Sequence, residues 1–244
     1  RLGAHIAAAA VIACNSEFFV GKIPFPWGGD ISLNGLAIPF TILYLLWMTN
    51  LYNFMDGMDG LAGGMTIIGF SVLGYFAWNA GDQTLAIAAS TVVAATGAFL
   101  VFNFPPSKIF LGDAGSIPLG FLAGALSLRA IHNQIIDFWA ACIIFSPFIA
   151  DATITLFTRI ICREKFWHPH RKHFYQRLVL MGWSHQKTAL AEYIIMMISG
   201  FTAFFYIRSS QSAKFALLLG CFFVYALFFL CIRVLRNPRM EKQS

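Results

Sequence analysis

The stretch of sequence that decides the fold is an unbroken apolar run near the middle of the chain. Residues 84–104 read TLAIAASTVVAATGAFLVFNF, and none of these side chains is charged. A helix needs about 20 apolar residues to cross the hydrocarbon core of a bilayer. Pro105 and Pro106 follow directly, and proline does not continue a helix interior. The run therefore predicts one transmembrane helix that ends at the proline pair.

The composition indicates that the remainder of the chain is built in the same way. Of the 244 residues, 58% are hydrophobic and 11% are charged, whereas soluble proteins carry roughly 25% charged residues. The apolar runs are continuous and do not alternate with polar residues, which excludes a transmembrane β-barrel. The other runs are Leu2–Cys14, Leu36–Asn50, Gly63–Ala80, Ser116–Ile131, Phe138–Ile161, Ala191–Ile207 and Ala213–Leu235. We predict an all-α fold, a polytopic transmembrane helical bundle of about seven full spans and one partial span.

The partial span also bears on the organisation of the chain. Leu2–Cys14 is too short to cross a bilayer, and the sequence opens on Arg1 without an initiator Met. We expect residues 1–244 to form a single integral-membrane domain that is missing its N-terminal helices.

The basic residues predict the orientation of the bundle. If the spans alternate in direction, 13 of the 17 Lys and Arg residues lie on the face that holds Arg1. They are Arg1, Lys108, Arg159, Arg163, Lys165, Arg171, Lys172, Arg177, Lys187, Arg233, Arg236, Arg239 and Lys242. Because cytoplasmic loops carry the excess of Lys and Arg, this face is predicted to be cytoplasmic. Asn15–Gly35 then becomes an outward-facing loop or a re-entrant hairpin.

The net charge of +6 does not indicate a nucleic-acid partner. Nucleic-acid-binding proteins gather their basic residues on a solvated face and are not dominated by apolar residues. Anionic lipid headgroups in the bilayer, or an anionic substrate, account for the charge better.

The first polar cluster lies where a span meets the predicted cytoplasmic face. Asn50, Asn53, Asp56 and Asp59 recur every three residues, so a helix end would bring them near one side. Asp-Gly turns at a helix terminus would explain Asp59, but not four polar residues in register. Oxygen ligands of this kind suit Mg²⁺ and, through it, phosphate.

The second cluster follows the proline pair and reads Gly112-Asp113-Ala114-Gly115-Ser116. Asp113 or Ser116 acting only as a helix N-cap is the simple explanation. The flanking glycines also allow close backbone approach to a ligand, and a helix N-terminus favours phosphate. A metal-bound diphosphate is the functional interpretation.

Two further polar features are less specific. Asp151 lies about 15 Å inside an apolar run, where an ionisable group marks either function or a buried hydrogen bond, and both interpretations stay open. Residues 163–185 hold four of the six histidines. The spacing does not match a zinc motif, so Arg and His side chains here are interpreted as ligands of phosphate oxygens.

These three motifs in order resemble those of the polyprenyl-phosphate N-acetylhexosamine-1-phosphate transferases, glycosyltransferase family 4. The motifs are NxxNxxDGxDGL at Asn50–Leu61, GDxGS at Gly112–Ser116, and the basic histidine loop at His168–Gln176. The resemblance implies transfer of a sugar-1-phosphate from a UDP-N-acetylsugar to undecaprenyl phosphate. UMP is released, Mg²⁺ or alternatively Mn²⁺ is the cofactor, and the site lies on the cytoplasmic face of the bacterial inner membrane.

The resemblance also implies a role for individual residues. Asp113 matches the metal-ligating aspartate, and Asp56, Asp59 and His173 match catalytic positions. The residues implied to bind substrate are Asn50, Asn53, Lys108, His170 and Arg171. A homodimer is one assembly open to such a protein.

Two departures from the family pattern are visible. Tyr175 and Gln176 stand where many members carry further histidines, which favours the branch that initiates lipopolysaccharide O-antigen over the peptidoglycan branch. The N-terminal DDxxD aspartates of the family do not occur in residues 1–244, and they are expected just upstream of Arg1. The resemblance therefore implies that a fragment without them is inactive alone. The donor sugar is not predicted.

Two other function classes compete with the transferase. Asp151 and the Pro and Gly breaks would also suit a polytopic transporter of a small anionic solute. A transporter, however, places polar residues near the midplane of two related halves, whereas here they crowd one face. A non-catalytic scaffold would leave the Asn and Asp register unexplained.

Overall fold

The computed structural model describes residues 2–25, 27–163 and 173–234. Within these ranges the chain forms ten α-helices and one two-stranded sheet. The elements are α1 (Leu2–Ala13), β1 (Lys22–Pro24), β2 (Asp30–Ser32), α2 (Ala37–Met55), α3 (Leu61–Asn79), α4 (Gln83–Asn103), α5 (Gly112–His132), α6 (Phe138–Ile144), α7 (Ser146–Ile161), α8 (Phe174–Leu180), α9 (His185–Arg208) and α10 (Gln211–Val234). The prediction of an all-α fold is confirmed.

The helices account for the predicted membrane spans. In the described ranges, α2, α3, α4, α5, α9 and α10 are each long and apolar enough to cross a bilayer. The pair formed by α6 and α7 makes a seventh crossing if the two count as one. The predicted partial span is a shorter apolar helix, Gly3–Ala13. The count of about seven full spans and one partial span therefore holds.

The seventh span is broken, which the continuous apolar run Phe138–Ile161 did not predict. The axes of α6 and α7 differ by 86° at the break, which falls at Phe145. Pro147 lies in the first turn of α7. Proline has no N–H for the preceding turn, its ring collides with that turn, and the residue before it is disfavoured in the helical conformation. The apolar run therefore begins a second helix at Ser146.

The helix ends gather on two faces of the bundle. We call residues 56–60, 104–111 and 173–184 the site face, and residues 14–36, 80–82, 133–137 and 209–210 the opposite face. The opposite face is joined by polar contacts between distant segments. Arg129 pairs with Glu17 at 2.6 Å, and Lys214 pairs with Asp137 at 3.2 Å.

Part of the predicted outward loop Asn15–Gly35 is a small β-hairpin at the opposite face. β1 and β2 pair in antiparallel register, with Ile23 opposite Ile31. The indole of Trp139 in α6 donates to the carbonyl of Pro24 at 2.6 Å. This bond fastens the hairpin to the broken span.

The packing of α5 against α2 brings the two predicted clusters together. Gly120 and Gly124 face α2, and a Cβ on Gly120 would lie 2.6 Å from the Met48 carbonyl oxygen and 2.8 Å from Thr49 Cα. Small residues four apart let membrane helices approach closely, because association in lipid depends on packing more than on apolar burial. The helices are antiparallel, so the end of α2 meets the start of α5.

We predict that Gly120→Ala destabilises the bundle, because the added methyl group must displace backbone atoms of α2. Overpacking of this kind costs about 1–3 kcal/mol, measured as the free energy of unfolding in detergent. Gly97→Ala in α4 is the matched control, since a Cβ there meets nothing within 4 Å and alanine favours helix. Equal stability of the two variants would contradict the close α2–α5 contact.

Candidate active site

The first predicted cluster begins on α2 and continues into the turn after it. α2 ends at Met55, and Asp56 is its C-terminal cap with φ −84° and ψ 42°. The prediction that all four polar residues share one helical side is therefore wrong for Asp56 and Asp59. These two acids are positioned by the turn 56–60, which closes at Gly60 with φ +76°, a conformation that glycine adopts without a Cβ penalty.

The two acidic clusters are in direct contact. The Asn53 amide donates to Asp113 Oδ1 at 2.8 Å and to Ser116 Oγ at 3.1 Å. The pKa of Asp56 is raised to about 7, mainly by burial; a hydrogen bond from the Gly112 backbone lowers it, and the nearby charge of Asp113 makes a smaller contribution that raises it. We call Asn53, Asp56, Asp113 and Ser116 the acidic pocket. It contains two carboxylates, those of Asp56 and Asp113.

The donor set of the acidic pocket fits Mg²⁺. In the ranges that the structure describes, no three His, Cys, Asp or Glu side chains are grouped closely enough to hold a metal by themselves. Mg²⁺ does not need such a group, because proteins bind it through one or two carboxylates and leave its other positions to water and substrate phosphates. Asp113 and Asp56 would supply the carboxylates, and α5 begins beside them at Gly112.

The loop 104–111 is tied to the turn 56–60 by one side chain. The Asn103 carbonyl accepts from the backbone N–H of Gly60 at 2.9 Å, and its amide donates to the Ile109 carbonyl at 2.8 Å. The Ser107 N–H also points at Asp59 Oδ2, 3.5 Å away. The sequence argument did not select Asn103. Its one signal is an amide at the last position of an apolar helix, two residues before Pro105.

Helix α9 holds the same turn from a second side. The Tyr193 hydroxyl donates to the Gly60 carbonyl at 2.5 Å, and a Cβ on Gly64 would overlap the Tyr193 ring. His185 Nδ1 lies 3.4 Å from Asp59 Oδ2. His185 belongs to the predicted basic histidine segment, whereas Tyr193 lies inside an apolar run and carried no signal in the sequence.

Helix α8 covers the turn from a third side. The Tyr175 hydroxyl donates to the Phe54 carbonyl at 3.2 Å, and a Cβ on Gly57 would overlap that hydroxyl. Burial raises the pKa of Tyr175, with smaller contributions from Asp151 and Asp56. The hydroxyl is therefore a proton donor at neutral pH. The turn 56–60 is enclosed by α4, α8 and α9.

Comparison with known proteins shows the family to which the chain belongs. A family model described as glycosyl transferase family 4 matches residues 1–131, more than half of the chain, and the match includes the acidic pocket. The chain belongs to glycosyl transferase family 4. The family assignment made from the three motifs is thus confirmed.

Individual relatives extend the similarity beyond the region that the family model matches. The chain is 35% identical over 173 residues to a probable undecaprenyl-phosphate N-acetylglucosaminyl 1-phosphate transferase of Bacillus subtilis, covering 70% of this chain and 48% of that protein. It is 37% identical over 114 residues to the phospho-N-acetylmuramoyl-pentapeptide-transferase of Levilactobacillus brevis, covering 47% and 35%. The same enzyme of Lactobacillus gasseri is 28% identical over 204 residues, covering 81% and 61%. The chain thus spans less than two thirds of each relative.

The predicted site residues of this family member fall at different distances from the acidic pocket. Asn53, Asp56 and Asp113 form it, and Asp59 lies in the same turn. Asn50 lies one helical turn deeper, and its amide donates to the Leu46 carbonyl of its own helix at 2.7 Å. Its predicted role in substrate binding stays a prediction.

The predicted basic residues are only partly within the described ranges. Lys108 is exposed on the loop 104–111. His173 is 4% exposed, and its Nδ1 lies 3.0 Å from Asp151 Oδ1. His170 and Arg171 lie outside the described residues. The roles of these four residues in binding substrate or in catalysis stay predictions.

We predict that Asn103→Leu destabilises the site face. The substitution has similar volume but leaves the Gly60 N–H and the Ile109 carbonyl without their partner, and an unsatisfied buried polar group costs about 1–3 kcal/mol. The free energy of unfolding in detergent measures the loss. Asn79→Leu is the control, because Asn79 is exposed at the end of α3 on the opposite face. An equal effect of both substitutions would contradict the bridging role of Asn103.

Proposed function

We propose that this member of glycosyl transferase family 4 transfers a sugar-1-phosphate from a UDP-N-acetylsugar to undecaprenyl phosphate. UMP leaves, and the product is an undecaprenyl-diphosphate-sugar. The observation that carries the proposal is the acidic pocket, in which the separate motifs around Asp56 and Asp113 meet at one end of a membrane bundle. The names of the relatives, which are sugar-1-phosphate and phospho-sugar transferases, support the reaction class.

In the proposed reaction an oxygen of the lipid phosphate forms a bond to the sugar-bearing β-phosphorus. The bond from that phosphorus to the bridging oxygen breaks, and UMP carries the bridging oxygen away. Asp113 and Asp56 would hold Mg²⁺, which supplies positive charge to the phosphate oxygens when bound. Asn53 orients the Asp113 carboxylate through the hydrogen bond at 2.8 Å.

The surroundings of the pocket suit a diphosphate. The first backbone amides of a helix have no partner inside it, and such amides bind phosphate; at the start of α5 the Gly112 backbone bonds to Asp56. Lys108 is exposed on the loop 104–111, which precedes α5, and we assign it to contact with phosphate oxygens. We assign His170, Arg171 and His173 to the same task on the basis of the sequence motif.

We propose that the site face is cytoplasmic and that the membrane is the bacterial inner membrane. The distribution of Lys and Arg supports this orientation through the excess of positive charge on cytoplasmic loops. With this orientation a water-soluble nucleotide sugar reaches Asp113 from the cytoplasm, while the polyprenyl chain of the acceptor stays in the bilayer. The homodimer stays a prediction.

We further propose that the chain acts in the O-antigen branch of the family. Tyr175 and Gln176 support this assignment, since they occupy positions where the resemblance expects histidines. Two of the relatives bear the name of a phospho-N-acetylmuramoyl-pentapeptide-transferase. The identity of the donor sugar therefore tests the assignment to a branch. The transporter alternative has no support from the family assignment.

We predict that Asp113→Asn in the complete gene product lowers UMP release by roughly 100-fold or more, a loss typical of removing one preorganised electrostatic contact to a transition state. The assay uses membranes supplied with undecaprenyl phosphate and a UDP-N-acetylsugar. Asp30→Asn is the control, because Asp30 is exposed in β2 on the opposite face. Retained activity in Asp113→Asn would overturn the metal-ligand assignment.

Removal of divalent cations tests the cofactor separately. We predict that chelation with EDTA stops UMP release and that added Mg²⁺ restores it, with Mn²⁺ tested as the alternative ion. Full activity in chelated membranes would refute the assignment of a divalent cofactor.

A panel of donors tests the branch of the family. The complete gene product is offered UDP-N-acetylglucosamine, UDP-N-acetylgalactosamine, UDP-N-acetylfucosamine, UDP-N-acetylquinovosamine and UDP-N-acetylmuramoyl-pentapeptide, and UMP release is scored for each. We expect turnover of an N-acetylated hexosamine or deoxyhexosamine donor. Turnover of the muramoyl-pentapeptide donor alone would refute the O-antigen assignment.

A further inference from the structure

Asp151 is a buried acid with donors on both carboxylate oxygens. It is 4% exposed and lies in α7, just beyond the break in the seventh span. Oδ1 accepts from His173 Nδ1 at 3.0 Å and from Thr155 Oγ1 at 3.1 Å. Oδ2 accepts from the backbone N–H of Phe174 at 2.9 Å and of Tyr175 at 3.3 Å. The buried hydrogen bonds that the sequence analysis gave as one interpretation of Asp151 are therefore present.

Three of these donors belong to the start of α8, more than 20 residues further along the chain. The first N–H groups of a helix have no partner inside it. A buried carboxylate is stable only when hydrogen bonds replace the water it has lost. Asp151 and the first turn of α8 therefore satisfy each other, and α8 is fastened to α7 at this point.

Helix α8 connects Asp151 to the turn 56–60. Tyr175, whose N–H is held by Asp151, donates its hydroxyl to the Phe54 carbonyl at 3.2 Å. The same hydroxyl lies over Gly57, where it leaves no space for a Cβ. The His173 ring stacks near Phe54, with ring centroids 6.1 Å apart. A chain of contacts thus runs from Asp151 through α8 to the backbone on either side of Asp56.

We propose that Asp151 is a positioning residue for the transfer reaction. It holds the first turn of α8 so that Tyr175 fixes the backbone around Asp56 in the geometry that the phosphates require. Asp151 itself touches neither the acidic pocket residues nor, on this proposal, the substrate. The inference rests on the proposed transferase function, because the geometry that Asp151 maintains is the one required for phosphoryl transfer.

An ordinary helix cap would have a different signature from a positioning residue. A cap contributes to stability wherever it lies, whereas a positioning residue also changes turnover and the mobility of the turn that it holds. Asp137 is the matched comparison, because it caps α6 by accepting from the Ala140 N–H at 2.9 Å and pairs with Lys214 on the opposite face. It has no contact path to Asp56 among the bonds described above.

The test compares Asp151→Asn, Tyr175→Phe, the double variant and Asp137→Asn in the complete gene product. We expect Asp151→Asn and Tyr175→Phe each to lower kcat by roughly 10- to 100-fold, the loss caused by a small misplacement of reacting groups, with KM for the UDP-sugar nearly unchanged. The double variant should be little slower than the slower single variant, because the effects of substitutions in one chain of contacts do not add. Asp137→Asn should lower thermal stability but leave kcat unchanged.

Hydrogen exchange supplies a readout that does not depend on activity. Asp151→Asn should raise amide exchange both in residues 174–180 and in residues 54–60, while Asp137→Asn should leave residues 54–60 unchanged. The proposal is overturned if Asp151→Asn keeps the wild-type kcat, if exchange rises in residues 174–180 alone, or if the two single effects multiply in the double variant.

Two outcomes distinguish a failure of this proposal from a failure of the proposed function. A wild-type protein that releases no UMP from any donor overturns the transferase function, whereas an active wild type with an unaffected Asp151→Asn overturns only the positioning role. If Asp151→Asn does not accumulate in membranes, Tyr175→Phe decides alone, since it keeps the aromatic ring and removes one hydrogen bond. Wild-type kcat and wild-type exchange of residues 54–60 in that variant would refute the proposal.

Discussion

The site depends on the rule that a buried backbone polar group must find a partner, because an unpaired one costs free energy comparable to a lost hydrogen bond. The turn 56–60 meets this requirement with side chains from other helices. Its Gly60 N–H bonds to Asn103 and its Gly60 carbonyl to Tyr193, while the Phe54 carbonyl before it bonds to Tyr175. A non-helical segment carrying two acids keeps its conformation because α4, α8 and α9 all contribute to it.

The break in the seventh span has a cause of its own, which is Pro147 in the first turn of α7. The axis of α7 differs by 86° from that of α6, and α7 presents Asp151 to the first turn of α8. The Ser146 hydroxyl at the break lies 2.8 Å from the Tyr225 hydroxyl, within hydrogen-bonding distance. Polar side chains at and beyond the break therefore fasten α7 to other helices.

Much of this could be predicted from the sequence because the signals are local. Runs of about 20 apolar residues specify spans wherever they occur, and the spacing of Asn53, Asp56 and Asp113 around glycines marks a polar site. The rest depends on contacts between distant residues. Asn103 and Gly60 are separated by 43 positions, and Tyr193 and Gly60 by 133. Neither the amide of Asn103 nor the hydroxyl of Tyr193 indicates in the sequence which distant group it bonds to, so their role appears only when the helices are packed.

The acidic pocket shows how a site of this kind is held in place by distant parts of the chain. Burial is the main cause that raises the pKa of Asp56, and the nearby charge of Asp113 adds to it. The backbone around Asp56 is bonded to Tyr175 at Phe54, and to Asn103 and Tyr193 at Gly60, so Asp56 is held beside the start of α5. A divalent cation bound there would find its carboxylates already in place, and proteins bind Mg²⁺ through one or two carboxylates together with water and substrate phosphates.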